Sequence, residues 1–382
     1  MKGKISSRNY ILFAVFAVLT SKMMSLPHVI YNYANHDAIF SVLLNLVIEL
    51  GLIWLITRLI KKHPDITFIE YLSSKITRVG AGIVVGVISV FLFCKALYIL
   101  QETYSFLLHT IYIDLPPLLY YLPAFFVTGY ISIKGLQTMG KCVEIFIFFL
   151  AIGLLTAFIN TLGQVPLDTN MPYFRDGISS MLNGTYNSCF YIGNSLVLLA
   201  FMGKVKVSEH MLRNTILSCI GVGLFVSLMD FCFYNMLGYT VIYSKFAISD
   251  ITQFNPFVSD LGHLNRLSII VSTVNLLSIV TIMFYAVQTG ISQIYRVNTK
   301  LVPVVSMCVL IYVIGRILHF DLNILEHYAV EYGKYFALGI LIITFVMLVI
   351  LNCLKRSENE KNIINKGSNT KRNKFFARPH AK

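Results

Sequence analysis

Lys22, Glu49, Lys95, Glu102, Glu144 and Asp230 each interrupt a run of otherwise apolar residues. A charge at that depth in a bilayer costs about 2.5–3.5 kcal/mol on insertion scales, so such groups pair or line a path for a solute or an ion. Lys22 lies in the densest polar stretch, with the hydroxyls of Thr20, Ser21 and Ser25 around it and Pro27 just beyond. Pro27 removes a backbone donor and disfavours helix at Leu26. Freed carbonyls and a half-helix N-terminus there suit an ion or a carboxylate. The alternative is a proline kink with Lys22 paired to a glutamate. A second stretch, Asn183-Gly184-Thr185-Tyr186-Asn187-Ser188 followed by Gly193-Asn194-Ser195, has the same density of polar groups. It reads as a second ligand-binding break, or as small and polar residues gluing helices together. Lys95, Tyr98 and Glu102 recur at helical spacing and look into one groove. Glu49 and Glu144 are partners for Lys22 or Lys95. Lys22 itself reads as a fixed cation, as an attractor of an anionic ligand group, or as a neutral amine, since burial disfavours its charge.

The elements that must hold these groups follow from composition. The chain has 382 residues, 56% hydrophobic and 13% charged, with mean hydropathy +0.71. A soluble protein carries about a quarter charged residues, so this is an all-α polytopic membrane protein. The start, Met1 to Pro27, resembles a signal peptide without a cleavage site and reads as a retained first span. The net charge of +13 is concentrated in residues 355–382, with nine Lys/Arg against two Glu. That segment reads as a basic, disordered cytoplasmic tail in contact with lipids, and not as a nucleic-acid arm. Seven cysteines are scattered without a CxxC or His/Cys cluster, so neither a disulfide framework nor a metal site is expected. Walker, HExxH, GxSxG and dinucleotide motifs are absent, and neither catalysis nor a cofactor is expected.

Runs long enough to cross about 30 Å of hydrocarbon fall near 10–34, 39–60, 79–108, 117–134, 141–163, 180–203, 212–240, 267–294, 300–318 and 334–354. With the N-terminus inside, 24 of the 31 Lys/Arg collect on the inner side and five on the outer, which places both termini in the cytoplasm. Residues 1–354 form one ten-span domain. Thr67 and Glu70 have capping-box spacing and predict a short amphipathic helix on the inner face. A surface helix is expected between about Tyr243 and His263. The interrupted spans one and six stand at equivalent places in two five-span halves, about 10–163 and 180–354, as an inverted-repeat transporter fold requires.

Further residues carry a resemblance. Ile5-Ser6-Ser7-Arg8 before the first span, Ser25-Leu26-Pro27, Asn35-His36-Asp37-Ala38, and Pro64-Asp65-Ile66-Thr67-Phe68-Ile69-Glu70-Tyr71-Leu72 resemble the spore germination protein family. Lys134-Gly135 with Lys141 and Glu144 is similar to that family's entry to the fifth span. These proteins are B subunits of GerA-type germinant receptors, within the amino acid-polyamine-organocation superfamily. The resemblance implies a LeuT-type fold with a ligand pocket between spans one, three, six and eight. It also implies the spore inner membrane, receptor A and lipoprotein C subunits as partners, and a nutrient such as an amino acid as ligand. Glu102 matches the family's third-span glutamate, and Thr20 to Ser25 match its glycine-rich break. The site expected is therefore Thr20, Ser21, Lys22, Ser25, Tyr98, Glu102, Gly184, Thr185, Tyr186, Asn187, Ser188 and Asn194. Lys22 where small residues are usual, Asn194 in place of a glutamate, and Ser268 two positions after Arg266 make the cavity more positive than in relatives. A ligand with a prominent anionic group, or a lysine replacing a bound cation, follows from that charge change. Two other functions fit the same spans: a secondary active amino acid transporter, and a scaffold subunit that binds no solute.

Overall fold

The computed structural model describes residues 4–19, 24–110, 114–161, 174–246, 264–295 and 299–354. Its helices are α1 (Ser7–Leu19), α2 (Leu26–Ala34), α3 (Ala38–Lys62), α4 (Phe68–Ser73), α5 (Arg78–Thr110), α6 (Pro117–Lys134) and α7 (Leu136–Thr161). They continue with α8 (Gly177–Asn187), α9 (Met211–Leu237), α10 (Leu264–Tyr295), α11 (Leu301–Ile317), α12 (Leu322–Tyr328) and α13 (Lys334–Cys353). Short 3-10 segments and one π turn join several of them. Among the described residues the only extended pairing is a single bridge between Ile5 and Val205.

Among the described residues six stretches are long and apolar enough to cross a membrane: Leu26–Lys62, Arg78–Thr110, Leu136–Gly153, Met211–Tyr243, Ile269–Tyr295 and Leu322–Cys353. Ser7–Leu19, Cys189–Phe201 and Leu301–Ile317 are shorter apolar helices. By length and composition the chain is an integral membrane protein. Leu26–Lys62 turns a corner at Asn35–Asp37, where Asn35 has φ 46°, a left-handed conformation that asparagine tolerates.

Two elements are interrupted, at the places where polar residues cluster. α1 ends at Leu19, and a turn at Met24-Ser25 leads into α2 with Pro27 in its first turn. Proline is favoured there because its missing N–H has no helical acceptor to lose. α8 ends at Asn187, gives one 3-10 turn (Cys189–Tyr191), bends at Ile192-Gly193, and resumes as a 3-10 helix over Asn194–Phe201. The bend needs φ +87° at Gly193, which a residue with a Cβ rarely adopts.

The halves of these two elements pair crosswise. α1 packs on Asn194–Phe201, where Phe13 stacks on Phe201 with ring centroids 4.8 Å apart. α2 packs on α8, where the Ser180 hydroxyl donates to the Ala34 carbonyl at 2.9 Å. α3 runs beside α9, and α5 lies along α10 in the middle of the bundle.

One end of the bundle is basic. There Lys4 meets Asp65 at 2.7 Å and Lys62 donates to the Leu354 carbonyl at 2.6 Å. The Ile5 and Lys206 N–H groups donate to the carbonyls of Lys204 and Ile5 at 2.9 and 2.8 Å. Residues 4 and 354 thus share one end, as an even number of crossings requires. α4 lies at this end, and Glu70 accepts the Thr67 N–H at 3.0 Å, the reciprocal half of a capping box. At the opposite end buried Asp37 accepts the N–H groups of Phe174 and Asp176. Most of the stretch expected as a surface helix, residues 247–263, and the basic tail from 355 onward lie outside the described residues.

Candidate functional site

One face of α5 serves both interruptions. Lys95, Tyr98 and Glu102 stand at i, i+3 and i+7, so they line a single stripe of the helix. All three are buried.

At the first break Glu102 Oε1 accepts the Ser25 N–H at 3.0 Å and also the Ser25 hydroxyl. With Glu102 ionised, the Ser25 hydroxyl gives its one proton to the carboxylate, so Ser25 Oγ accepts from Tyr98 across their 3.0 Å contact. Tyr98 then accepts from Tyr191, 2.7 Å away. In that state the chain Tyr191, Tyr98, Ser25, Glu102 runs one way, ending on a carboxylate at the N-terminus of α2. That end of a helix favours negative charge. Tyr191 comes from the sixth break, so the chain bridges both interruptions.

At the sixth break Glu49, from α3, accepts the Gly193 N–H at 2.6 Å and the Ser195 N–H at 2.8 Å. Lys95 donates to the Ile192 carbonyl and to Asn194 Oδ1, each at 2.7 Å. The backbone groups that lose helical partners at the bend thus find a carboxylate and an ammonium instead.

Of the other residues expected at the site, Asn187 Oδ1 accepts from buried Lys334 at 2.8 Å. Lys334 also sits over the rings of Tyr186 and Tyr335 at 5.4 and 5.5 Å. Ser188 Oγ accepts from Asn45 at 2.8 Å and donates to the Gly184 carbonyl. The Thr185 hydroxyl donates to the Met181 carbonyl. Gly184 lies where α8 meets α2 and α3: a Cβ there would stand 2.6 Å from Ser41 Oγ and 2.7 Å from Ala34 Cβ. The structure therefore gathers Ser25, Tyr98 and Glu102 in one network and Asn194 in an adjoining one. It sets Tyr186 and Asn187 about Lys334, and Gly184, Thr185 and Ser188 into helix packing. Thr20, Ser21 and Lys22 lie outside the described residues, as do the side chains of Arg266 and Ser268.

Two cavities open near these networks, toward the end opposite the basic one. One of 270 Å³ is lined by His28, Asn32, Tyr33, Lys245, Asn323, Glu326, His327 and Glu331. His28 lies one turn beyond Ser25 and faces Glu326 at 3.8 Å. Because His28 follows Ser25 by one turn, this cavity adjoins the first break. The other, of 560 Å³, is lined by Tyr33, Asp176, Ser179, Ser180, Asn183 and Tyr186. Tyr33 is a wall of both.

Glu49, Lys95, Tyr191, His28, Glu326 and Lys334 were not among the residues expected to bind ligand. Glu49 and Lys95 carried a signal, a charge within an apolar run. Tyr191, His28 and Glu326 carried none beyond their polarity.

Comparison with family models matches residues 4–323 to one described as spore germination protein. Comparison with curated proteins gives no match.

Proposed function

Since the chain belongs to the spore germination protein family, we propose that it is the membrane subunit of a germinant receptor. It binds a nutrient germinant, an amino acid or similar small solute, between its two interrupted spans and triggers germination. The observation that carries this reading is the hydroxyl chain from Tyr191 to Glu102, which ties the two breaks together beside a 270 Å³ cavity. That volume lies just under the roughly 300 Å³ at which drug-sized pockets begin, and it suits an occupant of amino acid size. A solute that bonds Ser25, Tyr98 or Glu102 changes what holds both breaks at once, and a binding event becomes a movement of half-helices.

In this reading the fold is LeuT-type, with ten spans in inverted halves of about 10–163 and 180–354. The crosswise pairing of α1 with Asn194–Phe201 and of α2 with α8 supports it. The protein resides in the spore inner membrane with both termini cytoplasmic, beside an A subunit, a lipoprotein C subunit and surrounding lipids. It recognises and signals, without catalysis. The interrupted spans equally suit a secondary amino acid transporter, which solute uptake into vesicles distinguishes.

The test is germination of spores carrying Ser25→Ala or Glu102→Gln, scored against a panel of nutrients. Hydrogen bonds to charged groups contribute about 1.5–3 kcal/mol. The nutrient concentration for half-maximal germination should therefore rise about tenfold or more. Variants that accumulate normally and keep the parental nutrient profile overturn the proposal. Lys22→Met should shift which nutrients act, toward solutes with less anionic character.

A further inference from the structure

The ammonium of Lys95 is enclosed on several sides. Two oxygens, the Ile192 carbonyl and Asn194 Oδ1, each lie 2.7 Å from Nζ. The rings of Phe91 and Phe190 stand 5.0 and 5.8 Å from it. Glu49, fixed by the N–H groups that flank Asn194, brings the opposite charge close enough to act on it. A bent-backbone carbonyl, an amide oxygen, a nearby carboxylate and two ring faces are the parts of a receptor for a small cation. The oxygens replace its hydration, and the rings attract it through their quadrupoles.

We propose that the sixth break is a binding site for a monovalent cation of the small-ammonium class, and that this chain fills it with its own lysine. The bend at Ile192-Gly193 is then held by a tethered ion, and its geometry does not depend on dissolved sodium or potassium. Lys95 acts as a positioning residue: it touches the break and not the solute cavity. Because it shares a face of α5 with Tyr98 and Glu102, it couples the bend of one interrupted span to the network of the other.

The test uses the purified full chain in detergent and reads the midpoint of thermal unfolding, separately from any germination response. The parent should give one midpoint in sodium, potassium and choline chloride at equal ionic strength. Lys95→Ala vacates the site; its midpoint should fall, and methylammonium should restore half or more of the loss, while tetramethylammonium, too large to enter, restores none. Lys95→Met fills the space without charge and should be lowered without rescue. Equal effects of the two ammonium ions on Lys95→Ala, a parental midpoint in Lys95→Met, or selective stabilisation of the parent by sodium each overturn the proposal. Should Lys95→Ala fail to accumulate, Lys95→Gln decides: it keeps a neutral donor, and a parental midpoint in it shows that no cation is needed, whereas a lowered one supports the site.

Discussion

Tyr98 stands in the middle of a hydroxyl chain and Tyr191 at its end, and this position sets what each loses on substitution. Tyr98→Phe removes a hydroxyl that contacts both Ser25 and Tyr191. Tyr191→Phe removes the hydroxyl that contacts Tyr98 but leaves the contact of Tyr98 with Ser25 in place. A buried polar group left without a partner costs about 1–3 kcal/mol, so Tyr98→Phe should destabilise the protein more than Tyr191→Phe in denaturant titrations. Equal losses would count against the middle position of Tyr98. Glu49→Gln should be costly as well, because an amide nitrogen cannot accept one of the two N–H groups, of Gly193 and Ser195, that the carboxylate takes; a hydrogen bond to a charged group contributes about 1.5–3 kcal/mol. At this scale the sequence revealed which residues were out of place in an apolar run, and Ser25, Tyr98, Glu102, Asn194, Lys95 and Glu49 were all visible in that way. Their partners were not visible. Ser25 and Glu102 are 77 positions apart, and Tyr98 and Tyr191 are 93 apart, so their meeting depends on how whole helices are rotated against one another.

Interrupted elements depend on two glycines for different reasons. Gly193→Ala forces a side chain into a left-handed backbone and places Cβ 2.8 Å from Leu341 Cδ2. Gly184→Ala keeps a helical backbone but pushes α8 away from Ser41 on α3 and Ala34 on α2. Overpacking of this kind costs about 1–3 kcal/mol, and both variants should unfold at lower temperature than the parent. Gly221→Ala, in α9 with open space around it, should be neutral or slightly stabilising by comparison. The limits of the continuous spans were legible because apolar runs end where charges and turns begin, and the first break was legible from Pro27 and its hydroxyl neighbours. The winding of Asn194–Phe201 was not. Asn-Ser-Leu-Val-Leu-Leu-Ala-Phe has nothing against an α-helix in its own composition. Its 3-10 form goes with the left-handed Gly193 and with Glu49, whose carboxylate takes the first backbone donors from another helix.

At the scale of the whole molecule, residues 4 and 354 lie at one end of the bundle. In variants that keep a single cysteine, Lys4→Cys and native Cys353 should react with a membrane-impermeant thiol reagent from the same side, and Phe174→Cys from the other. Labelling of the first two from opposite sides would contradict the even number of crossings. The exposed pair of Lys4 and Asp65 should matter little, since surface ion pairs contribute about 0–1 kcal/mol. Ten apolar segments and their charge bias could be read from residue order, whereas the crosswise pairing of half-helices is a long-range arrangement that no local pattern encodes. The clasp of Ile5 on Lys204 and Lys206 has a consequence for biosynthesis. At about 5–20 residues per second, the ribosome needs roughly 10–40 s to make the intervening chain. During that interval α1 is already made while its 3-10 partner does not yet exist. The clasp, and the packing of α1 on Asn194–Phe201, can therefore form only after residue 206 has been translated.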